Sequence, residues 1–307
     1  MTRVSGIRAG VVCVVALAAA VPAQAVQQVG DARDSVEVAH MLATIRVAAE
    51  RYADVNAAIA AGYRLVGEDM PNMGEHWINP RIAMRGELDP ALPAALTYLP
   101  DGDGRMLTGV AFIAPQMPGR ALPPPPIRGA SWHFHAETID EEAAGDAPAE
   151  RGADDRHDGR NSNGNHGDRE PEVLDPRMAM LHVWLFVDNP DGLLSPDNWS
   201  LPYVRLGLPV PESVRPDAAR ALSLVSGGVD YYAGIAGRLS RMDAAEQAVV
   251  RLHLETCRLE VDMLLADGDA TTLTGVGRLA ELWRAAWAGI ARDLDARHQA
   301  TVIRVAG

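Results

Sequence analysis

Residues 36–61 alternate between apolar and polar positions with the period of a helix. Seven apolar side chains recur there at spacings of three and four, namely Val38, Met41, Ile45, Ala48, Tyr52, Val55 and Ile59. Such a stripe is typical of an amphipathic helix that buries one face. Gly62 follows, and glycine is the usual stop signal at a helix C-terminus. The pattern therefore predicts one N-terminal helix over 36–61.

The last third of the chain repeats the helical period. From Pro216 onward, apolar stripes run through 250–264 and 276–294, and a connector rich in glycine, threonine and aspartate separates them. Residues 230–241 add a further helical stretch. Two long antiparallel helices with a third beside them form a small bundle when their apolar faces meet. We therefore predict a helical bundle over 213–307.

The middle of the chain has short apolar runs instead of helical stripes. Residues 95–99 and 106–113 flank Asp-Gly-Asp-Gly at 101–104, which is typical of a β-hairpin turn. Residues 132–137 and 178–187 have the composition of two more strands. The predicted fold class is α+β. An N-terminal helix packs on a mainly antiparallel, open or barrel-like sheet over 26–212, and the helical bundle follows.

An acidic stretch separates the last two predicted strands. Residues 141–172 contain no aromatic residue and no Val, Ile, Leu or Met, but are rich in Asp, Glu, Gly and Asn. A segment of this composition cannot bury enough apolar surface to fold. We predict that it is a disordered acidic insertion.

The N-terminus has the three parts of a secretory signal peptide. Arg3 and Arg8 supply positive charge, an apolar run of about 13 residues follows, and Ala23-Gln24-Ala25 has the small-x-small form that signal peptidase accepts. The run is shorter than the roughly 20 residues of a membrane-spanning helix. We therefore predict cleavage after Ala25 and an exported, soluble protein that works in the periplasm or outside the cell.

The formal net charge of −13 argues against two classes of partner. Nucleic acid and anionic membrane surfaces are themselves negatively charged and would repel the chain. No stretch after residue 25 is apolar over a length that spans a bilayer. We predict no nucleic-acid partner and no membrane span, and the sequence leaves any protein partner unknown.

Cys257 is the only cysteine that remains after cleavage, so the mature chain has no internal disulfide. It falls on the apolar stripe of 250–264, between Leu254 and Val261. The pattern predicts a buried, unreactive thiol.

Four histidines lie in segments rich in aromatic residues. His133 and His135 are on one predicted strand, His182 is on the next, and His76 lies in a separate segment before them. Alternate residues of a strand face the same side, about 7 Å apart. We therefore expect His133, His135 and Glu137 to share one face, with His76 in a turn that closes over them. Imidazoles and a carboxylate suit zinc, copper, iron, nickel or manganese. The predicted metal ligands are His76, His133, His135, His182 and Glu137.

Methionines near these histidines bear on the identity of the ion. Two of them, Met70 and Met73, precede the first histidine, and Met178 and Met180 share a strand face with His182. Thioether and imidazole ligands together favour copper, whereas imidazoles with a carboxylate suit zinc. The methionines are also typical of flexible core residues. Zinc and copper are the favoured ions, and the choice between them stays open.

Two sequence boxes resemble a family of exported bacterial proteins of unknown function. The first is Met-Gly-x-His-(Trp/Tyr), present here at 73–77, and the second is Leu-His-Val-Trp-Leu followed by Asn-Pro-x-Gly, present at 181–185 and 189–192. The first box is also similar to one in another group of bacterial proteins suspected of binding metal. The resemblance covers roughly residues 45–205, without the acidic insertion. It implies that His76 and His182 belong to one site, and no established activity comes with it.

Three functions fit these features. The leading hypothesis is an exported, soluble protein that binds a transition metal through the histidine cluster. The second is a metal-dependent hydrolase or oxidase, in which an open coordination position activates water or oxygen; a cupin-like barrel is one form of it, although Glu137 comes earlier than the cupin motif requires. The third is a non-catalytic scaffold in which the histidines are structural.

Overall fold

The computed structural model describes residues 32–86, 88–116, 120–134, 177–298, 302, 305 and 306. The predicted signal peptide and the acidic insertion lie outside these residues, and so do His135 and Glu137. Within the described ranges, no helix combines the length and the apolar character needed to cross a membrane.

The described chain begins with two helices, continues through the strands of a sheet with one short helix between them, and ends in a run of helices. The strands are β1 (Arg64–Met70), β2 (Gly74–Ile78), β3 (Ala95–Asp101), β4 (Gly104–Gln116), β5 (His133–Phe134) and β6 (Arg177–Val183). The helices are α1 (Ala32–Glu50), α2 (Val55–Ala60), α3 (Pro80–Ala83), α4 (Leu201–Arg205), α5 (Pro216–Ser223), α6 (Gly228–Ser240), α7 (Ala244–Ala266) and α8 (Leu273–Asp293), with 3-10 turns at Leu224–Ser226 and Ala296–His298. The fold is α+β, as predicted.

The described strands form one sheet in the order β1-β2-β3-β4-β6-β5, and each neighbouring pair is antiparallel. The sheet curls into a half-barrel. The predicted hairpin is present, because Asp101 pairs with Gly104 at the β3–β4 turn. β6 lies between β4 and β5 in the sheet. The edge strand β5 therefore comes before its inner neighbour β6 in the sequence.

The N-terminal helix is not continuous, which corrects the prediction of one helix over 36–61. α1 ends at Glu50, and Asp54 then begins α2 by accepting a hydrogen bond from the Asn56 backbone N–H at 2.9 Å. The backbone between the helices is held by the sheet, because the Tyr98 hydroxyl donates to the Tyr52 carbonyl oxygen at 2.6 Å. A distant buried tyrosine therefore fixes a break that the local pattern does not show.

One face of the sheet packs against α1. Large side chains alternate along the central strands on this face and form a single core with the buried face of the helix. Its members include Leu42, Ile45, Leu96, Val110, Phe112, Leu181 and Val183, each at most 1% exposed. Burial of this much apolar surface stabilises the packing of helix on sheet.

The segment after β6 leaves the sheet earlier than predicted. The predicted strand over 178–187 ends at Val183, because the Trp184 backbone N–H donates to Leu193 in the following loop at 2.9 Å. Residues 184–200 form this loop, which we call the 184–200 loop.

The C-terminal helices agree with the predicted periodicity. A capping box between Asp243 and Glu246 begins α7, and the Thr272 side chain caps α8. The α7 stripe is buried at Val250, Leu254, Cys257 and Val261, and packs in one core with the fully buried Trp283 of α8.

Candidate metal centre

Three of the predicted site histidines lie on one face of the sheet. His76 is on β2, His182 on β6 and His133 on β5. His76 pairs with Val66 and Thr97 on either side, so it belongs to a strand. The prediction that His76 lies in a turn is wrong. The turn ends two residues earlier at Gly74, whose φ of +74° favours glycine.

Small side chains lie on the two strands that separate the strand of His76 from the strand of His182. In the row of His76, β3 contributes Thr97 and β4 contributes Gly109, since paired residues point to the same side of a sheet. In the row of His182, the residues are Ala111 and Ala95. We call this side the histidine face. Because the side chains of this face on β3 and β4 are small, there is space above these two strands for the imidazole rings.

The rings of His76 and His182 meet above these small residues. Their Nε2 atoms lie 3.0 Å apart, although two strands separate β2 from β6. Neighbouring strands are about 4.8 Å apart, so a flat sheet would hold the two backbones about 14 Å from each other. The contact therefore requires the sheet to curl toward the histidine face. His76 is 2% exposed and His182 is fully buried.

His133 completes a row of three imidazoles. It pairs with Met180, two residues before His182, so the two histidines lie diagonally on adjacent strands. Their ring centroids are 4.8 Å apart, and those of His76 and His182 are 5.2 Å apart. The fold therefore brings together three residues that lie up to 106 positions apart in the sequence.

The 184–200 loop determines which nitrogen of His182 carries its proton. His182 Nδ1 lies 2.7 Å from the carbonyl oxygen of Pro196. A carbonyl oxygen only accepts hydrogen bonds, so Nδ1 must be protonated. In the neutral ring, Nε2 then carries a lone pair, and this atom faces His76 Nε2 at 3.0 Å. Metal-binding histidines commonly show this arrangement, with the second ring nitrogen donating to a backbone carbonyl.

The Nε2 separation fits two ligands of one ion. Two imidazole nitrogens that each lie about 2.0–2.1 Å from zinc are about 3.3 Å apart at a tetrahedral angle and about 2.9 Å apart at a right angle. The observed 3.0 Å lies between these values. It also suits a direct hydrogen bond from a protonated His76 Nε2 to His182 Nε2.

The described part of the chain does not by itself present a complete ligand set. Among those residues, no group of three or more His, Cys, Asp or Glu side chains has a geometry that would hold a metal ion. His135 and Glu137, the remaining predicted ligands, lie outside the described residues. His133 therefore needs a side-chain rotation if it is to join the pair.

Two nearby residues are not ligands in this geometry. Glu75 is adjacent to His76 but points to the opposite face, where it accepts hydrogen bonds from Trp77 Nε1 at 2.9 Å and from Arg105. Met180 shares the histidine face and packs among Ala95 and other small core residues. Its thioether serves as core filling, which is the ordinary role of a buried methionine.

The sequence missed the groups that hold His182 in place. The acceptor for Nδ1 is a backbone carbonyl, and a carbonyl has no residue-type signature. Asp197, next to Pro196, was also missed; it is partly buried, and this burial raises the pKa of its carboxyl group. The neighbours of Asp197, Asn198–Ser200, are buried in the structure, but their residue types do not show this in the sequence.

No protein-family model, no curated protein and no solved structure matches the chain. The resemblance of the two histidine boxes to exported bacterial proteins therefore stays a prediction.

Proposed function

We propose that this chain is an exported protein that binds a transition metal through Nε2 of His76 and His182, with His133 as a third ligand. His135 and Glu137 remain the candidates for completing the coordination shell.

One observation carries the proposal. The buried Nε2 atoms of His76 and His182 lie 3.0 Å apart, while Nδ1 of His182 is hydrogen-bonded to the Pro196 carbonyl oxygen. The carbonyl contact keeps the His182 lone pair directed at the shared space. Burial favours metal binding further, because protein ligands that are fixed before the ion arrives lose little entropy on binding.

Imidazole-rich sites bind both zinc and copper, and the ligands on the histidine face do not separate them. Met180 gives no support to a thioether ligand, because it packs into the core. We therefore propose zinc or copper as the ion, with competition between the two metals as the means of deciding.

Metal analysis of the purified protein tests the proposal. We expect about one equivalent of a transition metal per chain, and its loss in His76→Ala and His182→Ala. His298→Ala is the matched control, because His298 is equally buried at 2% exposure but belongs to the C-terminal helices. The control should keep its metal.

The opposite result would favour the scaffold hypothesis. If the protein purified from zinc- and copper-supplemented cells contains no metal and binds none on titration, the Nε2 contact is a hydrogen bond between two structural histidines. The His76→Ala variant would then lose thermal stability without any change in metal content.

Export needs a separate test. A bacterial host that expresses the chain with its own N-terminus should release a protein that begins at Val26 in the periplasm or the medium. An intact N-terminus in the cytoplasmic fraction would contradict the proposed export and would leave metal binding untouched.

A further inference from the structure

Two polar connections join the segments that carry the histidine pair. The turn between β1 and β2 contains Asn72, four residues before His76, and the 184–200 loop contains Asp197. Asn72 Nδ2 donates to Asp197 Oδ1 at 2.7 Å. The Asn198 backbone N–H donates to the Asn72 carbonyl oxygen at 2.9 Å. The turn before one histidine is thereby tied to the loop that holds the other.

The same loop is held on both sides of Pro196. Before it, the Ser195 carbonyl oxygen accepts a hydrogen bond from Trp184 Nε1 at 2.9 Å. After it, the Asp197 carbonyl oxygen accepts one from Asn189 Nδ2 at 2.7 Å. The Pro196 carbonyl oxygen that accepts the hydrogen bond from His182 Nδ1 is thus fixed between two anchored neighbours. The Trp184 ring also lies against the His182 ring, with centroids 5.3 Å apart.

The Asp197 side chain occupies an unfavourable place for a carboxylate. Burial raises the pKa of this group, and the hydrogen bond from Asn72 and the charge of Arg220 act in the opposite direction. A carboxylate that loses part of its hydration needs hydrogen bonds to compensate for it. The hydrogen bond from Asn72 provides this compensation and ties the acid to the turn before His76.

We propose that Asp197 and Asn72 are positioning residues for the metal centre. Their hydrogen bond holds the Pro196 carbonyl on His182 Nδ1 and thereby keeps Nε2 of His182 unprotonated and aimed at Nε2 of His76. The inference rests on the proposed function as far as metal is concerned, but the control of the His182 tautomer operates without any metal.

Nitrogen NMR of the histidine rings tests the tautomer directly. In the full protein labelled with 15N-histidine, without metal, we expect His182 to show a protonated Nδ1 and an unprotonated Nε2. Asp197→Ala and Asn72→Ala should each move the two nitrogen shifts toward one another, as in a ring that exchanges between tautomers. Asp197→Asn keeps an oxygen that can accept from Asn72 and should restore the wild-type shifts.

Asp191→Ala is the matched control, because Asp191 is an exposed acid of the same loop and makes its hydrogen bond to Asn189 through its backbone N–H. It should leave the His182 shifts unchanged. The proposal is overturned if both Asp197→Ala and Asn72→Ala fold and keep the wild-type shifts. Having two variants, one on each side of the hydrogen bond, guards against one of them failing to fold.

Zinc titration of the same variants separates this inference from the proposed function. Loss of groups that orient metal ligands typically weakens metal affinity by about 10- to 100-fold. We expect that loss for Asp197→Ala and Asn72→Ala, and recovery for Asp197→Asn. If the wild type binds zinc and Asp197→Ala binds it with the same affinity, only the positioning role is overturned. A tautomer shift in a protein that binds no metal would overturn the proposed function and leave the positioning of His182 in place.

Discussion

Gly109 packs so closely against Val183 that a Cβ atom on residue 109 would lie 2.6 Å from the Val183 carbonyl oxygen. This contact sets the approach of β4 to the end of β6, one residue beyond His182. It makes glycine necessary at position 109, because a backbone oxygen, unlike the end of a flexible side chain, cannot move aside for a Cβ atom.

Gly109→Ala should therefore both destabilise the protein and disturb the histidine pair. Overpacking of a filled core typically costs about 1–3 kcal/mol. Chemical denaturation should show a loss of that size, together with weaker zinc binding. The control is Gly277→Ala, in helix α8, where a Cβ would meet nothing within 4 Å. Alanine is the better helix former, so this variant should be as stable as the wild type or more stable. An unchanged midpoint in Gly109→Ala would contradict the account of the close packing.

The thiol of Cys257 should be unreactive in the folded protein. Burial raises its pKa to about 12, and the nearby charge of Glu260 adds to the shift. At pH 8 only about one thiol in ten thousand would then be ionised, and the thiolate is the reactive form. A thiol reagent should label no cysteine in the native chain that begins at residue 26, and one after unfolding in guanidinium. Rapid labelling of the native protein would show that the α7–α8 core opens readily.

Because of Glu246, the stability of the C-terminal helices should decrease as the pH falls through the acid range. The pKa of its carboxyl group is lowered from 4.5 to about 2, first by the hydrogen bond from the Asp243 backbone N–H and then by His298 and Arg297. A lowered pKa means that the folded state favours the ionised form. The resulting stability is present above pH 4.5 and is lost as the pH falls toward 2.

The variant Glu246→Gln removes that ionisation. It should unfold more readily than the wild type at pH 7, and the difference between the two midpoints should shrink steadily between pH 4.5 and pH 2. Glu255→Gln, on the exposed side of the same helix, serves as control. A difference between Glu246→Gln and wild type that stays constant down to pH 2 would contradict the assigned pKa.

The parts of the fold that follow from the sequence are those with strong local periodicity. The stripes of α7 and α8 repeat at three and four residues, and the Asp-Gly-Asp-Gly turn marks the β3–β4 hairpin. β1 and β2 were not predicted as strands, because the first half of β1 is exposed on both faces and β2 is buried on nearly every residue. Neither strand shows the alternation that identifies a half-buried strand.

The candidate site was predictable in composition but not in arrangement. The histidine residues carry a chemical signature, so His76, His133 and His182 could be chosen from the sequence. Their meeting depends on the order β4-β6-β5 and on the curl of the sheet over Thr97 and Gly109. These are long-range properties, set by packing between elements rather than by any local pattern.

Anomalous diffraction from zinc-soaked crystals of the full protein would show whether His76 and His182 bind one ion. We expect a single strong peak at the zinc edge, about 2.0–2.1 Å from Nε2 of both His76 and His182, with the His182 Nδ1 contact to Pro196 retained. A peak elsewhere on the surface, or no peak between two rings that keep their 3.0 Å nitrogen contact, would contradict the claim that these histidines form a metal centre.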